Sequence, residues 1–123
     1  IIIDISEFLV KYVLINDWWC LVELYQFVNG ELGIKSGLVD SILKRLKEIS
    51  SWFEYPISYK FYGCSILIVY DAECLINGKD PEVRVKMIDF SHAVPNTKKE
   101  KDENYATGLK KLIEAFQKVA IFQ

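Results

Sequence analysis

Apolar residues recur at helical spacing in three stretches of the chain. Between Glu7 and Val28, Phe8, Tyr12, Ile15 and Trp19 form one such series, and Leu21, Leu24, Tyr25 and Val28 form another. Asn16-Asp17 predicts a break that divides the stretch into two helical pieces. So much apolar surface on a short segment predicts burial on more than one side. A loop is expected at Asn29-Gly30-Glu31-Leu32-Gly33 from its glycines. Ser36 to Trp52 reads as a helix with Ser36 as N-cap, Asp40 near the first turn, and an apolar stripe through Leu38, Val39, Ile42, Leu43, Leu46 and Ile49 to Phe53. Pro56 disfavours a helical Tyr55 and ends it. A last helix is predicted from Asn104 to Phe122, with Leu109, Leu112, Ile113, Phe116, Val119 and Ala120 on its apolar face and Asp102 or Asn104 as its cap. Gly108 costs that helix about 1 kcal/mol relative to Ala, which predicts close packing there against a neighbouring strand or loop.

The remaining apolar runs have strand character. Tyr59 to Tyr70 and Val83 to Phe90 are rich in Ile, Val, Tyr and Phe. The intervening DAECLINGKDPE holds the turn dipeptide Asn77-Gly78 and ends near Pro81. An antiparallel pair with a long connection follows, and Ile1 to Ile5 reads as a further short buried strand. The expected class is α+β, an antiparallel hairpin or sheet packed with helices. Two registers suit a hairpin symmetric about its loop, with paired positions summing to about 153 or 154. The second sets Ser65 opposite Asp89 on one face. The polar stretch Asn96 to Glu103 reads as a surface loop whose lysines are solvated or meet phosphates.

Composition narrows the function classes. The chain has 123 residues, 51% of them hydrophobic, enough for one modest domain with a core. A net charge of −2 argues against nucleic-acid binding driven by overall charge. Cys20, Cys64 and Cys74 have no CxxC spacing, so free thiols in a reducing compartment are expected and a zinc site is not. No apolar run is long enough to span a membrane, and no signal peptide is visible at the start. The expected location is intracellular, cytoplasmic or nuclear. The chain starts at Ile1 without an initiating Met, which suggests a fragment of something longer.

Candidate chemistry centres on Ser65 and Asp89. Both offer hard oxygen ligands of the type Mg²⁺ takes. Asp89 lies in an apolar run, where a carboxylate must be paired, hydrogen-bonded or on a metal. The alternative is that Asp89 caps a turn and Ser65 is a small core residue. No GxxxxGK[ST] or strand-preceded GxGxxG is present. The pair Trp18-Trp19 is expected in the core or at a domain interface. If exposed, it marks a missing lobe or a partner surface.

Several motifs in order carry a resemblance. They are Phe27-Val28-Asn29-Gly30, Cys64-Ser65-Ile66-Leu67, Ile88-Asp89-Phe90-Ser91-His92, Asp102-Glu103-Asn104-Tyr105 and Gly108-Leu109. From about Phe27 to Phe116 the chain resembles the C-terminal half of the inositol polyphosphate kinase family, which includes multikinases, trisphosphate 3-kinases and hexakisphosphate kinases. The resemblance implies a C-terminal lobe of a protein-kinase-like fold, with ATP as co-substrate, an inositol phosphate as acceptor and Mg²⁺ as cofactor. Asp89 then matches the catalytic, metal-binding aspartate at the ATP phosphates. Ser65 assists at the same metal, and His92 lies near the inositol phosphate. Two departures stand out. The family's Pro-x-x-x-Asp-x-Lys-x-Gly element is absent; Ile3-Asp4-Ile5-Ser6 echoes it without the lysine, proline or glycine and lies too near the hairpin. The N-terminal lobe is also missing, so such a lobe or a partner chain is implied. A noncatalytic module, binding inositol phosphates or a partner protein, is the second expectation. An unrelated α+β domain, with Ser65 and Asp89 far apart, is the third.

Overall fold

The computed structural model describes residues 1–29 and 36–121. In order these form β1 (Ile2–Asp4), α1 (Ile5–Leu9), a π-helical segment (Val10–Leu14), α2 (Trp19–Asn29), α3 (Ser36–Trp52), β2 (Tyr59–Phe61), β3 (Ser65–Val69), α4 (Ala72–Ile76), β4 (Arg84–Ile88), β5 (Ala93–Pro95) and α5 (Glu103–Ile121). The class is α+β, as expected. Among the described residues, no helix is long and apolar enough to cross a membrane. The predicted glycine loop lies outside the described residues beyond Asn29, as does the Ser36 side chain read as an N-cap.

The helices follow their apolar stripes. Leu38, Val39, Ile42, Leu46 and Ile49 of α3 are buried, as is Phe53 just after it. They pack on α5, whose Leu109, Leu112, Phe116 and Val119 are fully buried. Helix α5 also meets α1 and α2. Gly108 makes the close approach to α1 possible: a Cβ there would lie 2.2 Å from Ile5 Cγ2. The break at Asn16-Asp17 is present, with Asn16 in the left-handed region (φ 56°) and Asp17 Oδ1 accepting from Trp19 N at 3.1 Å. Helix α2 then buries Cys20, Leu24 and Val28. Trp18 and Trp19 lie off that stripe and are 72% and 58% exposed, so of the two placements expected for them the core is corrected.

The main sheet is antiparallel in the order β1-β3-β4. Ile3, Ile66 and Met87 are neighbours across it, as are Ile68 and Val85. These face the helices, since Ile3, Ile66 and Ile68 are buried in the core. The other face carries the cross-strand sets Asp4–Ser65–Ile88, Ile2–Leu67–Lys86 and Val69–Arg84. Three expectations are corrected. Tyr59 to Tyr70 is two strands, because Gly63 turns at φ 68° and β2 leaves to pair with β5. The connection contains α4, capped by Asp71, whose carboxylate accepts from Glu73 N and Cys74 N. The register is the first of the two, so Ser65 faces Ile88 and Asp89 stands one residue further on.

Candidate active site

Three strand ends meet at one end of the sheet. β1 finishes at Asp4, β3 begins at Ser65, and β4 finishes at Ile88. Ser65 is buried, with Asp4 directly opposite on one side and Ile88 on the other. Asp89 follows immediately and is exposed. Its φ of 64° is left-handed, a conformation that aspartate tolerates better than most residues. The turn takes its carboxylate out of the strand and up to Ser91, whose hydroxyl donates to Oδ1 at 2.9 Å. The turn closes with Ala93 N donating to Phe90 O at 3.0 Å. His92, exposed in this turn, has its Cδ2 atom 3.4 Å from where a Cβ on Gly63 would stand. The three sequence-predicted residues therefore gather at one end of the sheet, though Ser65 and Asp89 are not cross-strand partners.

The residues that hold this end together were only partly visible in the sequence. Asp102, one of the two expected caps of α5, is 3% exposed. Its Oδ1 accepts from Tyr105 N at 3.2 Å and its Oδ2 from Phe61 N at 2.7 Å. One carboxylate thus caps α5 and pins β2 to it. Asn96, read as part of a surface loop, is buried as well, donating through Nδ2 to Ile57 O at 2.9 Å and to Glu100 O at 2.6 Å. Asp4 belongs to the Ile1 to Ile5 segment, expected as a short strand. That segment is the strand beside β3, and its Ile5 N donates to Cys64 O at 3.3 Å. An aspartate inside an isoleucine-rich start was the available signal. Asp4 Oδ1 accepts from Glu7 N at 3.1 Å and caps α1.

Electrostatics bind the same group. Burial, then the carboxylates of Asp89, Asp102 and Asp4, push the Cys64 thiol up to about 11. Burial, Cys64, Asp102 and Asp4 likewise push the Tyr105 phenol well above its ordinary range. Among the described residues, no three His, Cys, Asp or Glu side chains form a metal cage. A carboxylate and a hydroxyl fit a different arrangement: an oxygen-liking ion that fills its other positions with phosphate and water.

The chain is similar to known proteins. The family model described as inositol polyphosphate kinase matches residues 20–117. The chain is 44% identical over 55 residues to inositol polyphosphate multikinase alpha of Arabidopsis thaliana, covering 43% of this chain and 19% of that protein. It is 31% identical over 108 residues to inositol hexakisphosphate kinase 3 of Mus musculus, covering 73% of this chain and 27% of that one. A solved inositol phosphate multikinase from S. cerevisiae, in complex with ADP and Mn²⁺, shares the fold with a TM-score of 0.67 at 23% identity, over 83% of this chain and 46% of that one. The chain spans less than a third of the length of these two curated relatives. Since the family match takes in most of the chain, with Ser65, Asp89 and His92 inside it, the chain belongs to the inositol polyphosphate kinase family.

Proposed function

We propose that this chain forms the C-terminal lobe of a kinase that moves the γ-phosphoryl group of ATP onto an inositol phosphate. The supporting observation is the meeting of Ser65, Asp89 and His92 at the common end of β1, β3 and β4. Asp89 and Ser65 are the residues that would hold Mg²⁺ together with the ATP phosphates. An ion held there would supply neutralisation of phosphate charge and alignment for in-line displacement. Asp89 is held for this by its backbone turn and by the Ser91 hydroxyl on one of its oxygens. Its second oxygen has no hydrogen-bond partner among the described residues. His92 offers an exposed imidazole to a phosphate of the acceptor. Leu67, half-buried beside Ser65 on the outer face, supplies an apolar floor. An N-terminal lobe that clasps the nucleotide comes from a longer form of the chain or from a partner. The free thiols suit the reducing cytoplasm or nucleus.

One observation favours a second reading, a noncatalytic inositol-phosphate-binding or interaction module. Asp4-Ile5-Ser6 has no lysine, and the Asp4 carboxylate already caps α1.

Mn²⁺ with ADP gives a site-resolved test, because the ion broadens nearby amide resonances. The kinase reading expects broadening first at Ser65, Asp89 and Ser91, and its loss in Asp89→Asn. Broadening centred elsewhere would overturn it. Nucleotide binding with no phosphoryl transfer to any inositol phosphate, in the longest form of the chain, would favour the module.

A further inference from the structure

The second edge of β4 is open. Its one neighbour in the sheet is β3, and no backbone hydrogen bond reaches its other side among the described residues. That edge walls a groove of 520 Å³. Val85, Lys86 and Met87 line it in succession. Strand side chains alternate between faces, so three consecutive residues meet one groove when the backbone edge itself faces it. Across the groove stands Trp52 at the end of α3, 59% exposed. Phe61 and Phe90 close it, packed edge to face with ring centroids 5.8 Å apart. An edge strand facing a helix across an apolar groove is a geometry that accepts an extended peptide as one more strand.

Charge decides which strand fits. Arg84 and Lys86 are exposed on the outer face, and neither has an ion-pair partner among the described residues. A second copy of β4 is a poor occupant. Antiparallel self-pairing centred on Lys86 sets that lysine against its own copy, and centring on Val85 sets Arg84 against Lys86. Both place like charges directly opposite on one face, which is destabilising. The same cations attract carboxylates. We propose that the β4 edge captures an extended segment of a partner protein in which large apolar residues alternate with acidic ones. Its apolar side chains enter the groove between Met87 and Trp52, and its acidic side chains meet Arg84 and Lys86. This assignment is independent of the kinase reading.

Two labelled synthetic peptides test it on the 123-residue chain. One alternates Phe or Val with Glu; the other carries Lys in place of each Glu. The acidic peptide binds about tenfold or more tightly than the basic one, from two favourable cross-strand pairs in place of two unfavourable ones. On saturation, amide hydrogen exchange slows at residues 84–88. The double variant Arg84→Glu/Lys86→Glu inverts the preference, with circular dichroism confirming an unchanged fold. Equal affinity for both peptides, uptake of neither, or protection confined to other segments would overturn the proposal. So would a dimer of the chain that protects the β4 amides and excludes the peptide.

Discussion

Asp102 and Cys64 show how single buried groups set this end of the molecule. Both carboxylate oxygens of Asp102 are taken by backbone N–H groups from two different elements. Removing it leaves those donors unpaired and uncaps α5. Asp102→Ala is expected to cost about 2–4 kcal/mol in urea unfolding, from two charge-assisted hydrogen bonds and a helix cap; a loss below about 0.5 kcal/mol, within the usual range for exposed sites, would contradict the geometry. Asp102→Asn keeps one acceptor oxygen and should lose roughly half as much. Cys64 gives a pH signature. Its thiol is raised from an ordinary 9.0 to about 11 by burial and by the nearby carboxylates. The folded chain therefore binds this proton more tightly than the unfolded chain. Its contribution is fully present below about pH 9 and is lost as pH rises through about 11. Unfolding measured on both sides of that window should show a smaller fall in Cys64→Ala than in the native chain. Equal falls would remove Cys64 as the source. At this scale the sequence was informative about identity and less so about place. Asp102 could be named as a cap because acidic residues before an apolar-periodic run have one common use. Its second bond, to Phe61, depends on a strand partner forty-one positions away.

Helices were legible because their stripes depend on local period alone. The α3 stripe lies where its spacing puts it, and the close packing expected at Gly108 is present, though its neighbour is Ile5 of helix α1 and not a strand or loop. Gly108→Ala gains helix propensity but drives a methyl into Ile5 Cγ2, at 2.2 Å. Ile5 is fully buried and has little room to move. The clash should dominate, with a net loss of about 1–3 kcal/mol, the usual cost of overpacking. In an Ile5→Ala background the same change should be neutral or stabilising, so the double-mutant cycle isolates the contact. Additive effects would contradict the packing. Strands were harder to read. Tyr59 to Tyr70 looks like one strand because apolar content is continuous through it, but Gly63 and the Asp102 bond to Phe61 divide it. The register was argued from a symmetric loop. Symmetry left two registers, and the structure takes the one in which Val69 pairs with Arg84 and Ser65 with Ile88, so Asp89 falls just beyond the pairing. β5 is three residues long and follows a turn, too little pattern to announce itself.

For the whole molecule, the distribution of exposed aromatic surface is informative. All three tryptophans, Trp18, Trp19 and Trp52, are more than half exposed. Their fluorescence in the folded chain should be strongly quenched by acrylamide and emit near the wavelength of solvated indole. Protection comparable to buried indole would mean that these surfaces are covered, by a partner or another copy. Leu14 and Ile15, in the same stretch of the sequence as Trp18, are exposed as well, at 77% and 65%. Placing Trp18 and Trp19 in the core, one of the two positions expected for them, rested on the usual fate of tryptophan, which says nothing about which face of a helix meets the core. The site is the other property of the whole. The proposed residues come together because β1, β3 and β4 end together, and no single motif shows that. Calorimetric titration of ATP into the chain, with and without Mg²⁺, and into Asp89→Asn, tests this most directly. Saturable binding that requires the metal and is lost in the variant is the expected result. Binding that is equal with and without Mg²⁺, or unchanged in Asp89→Asn, would contradict it.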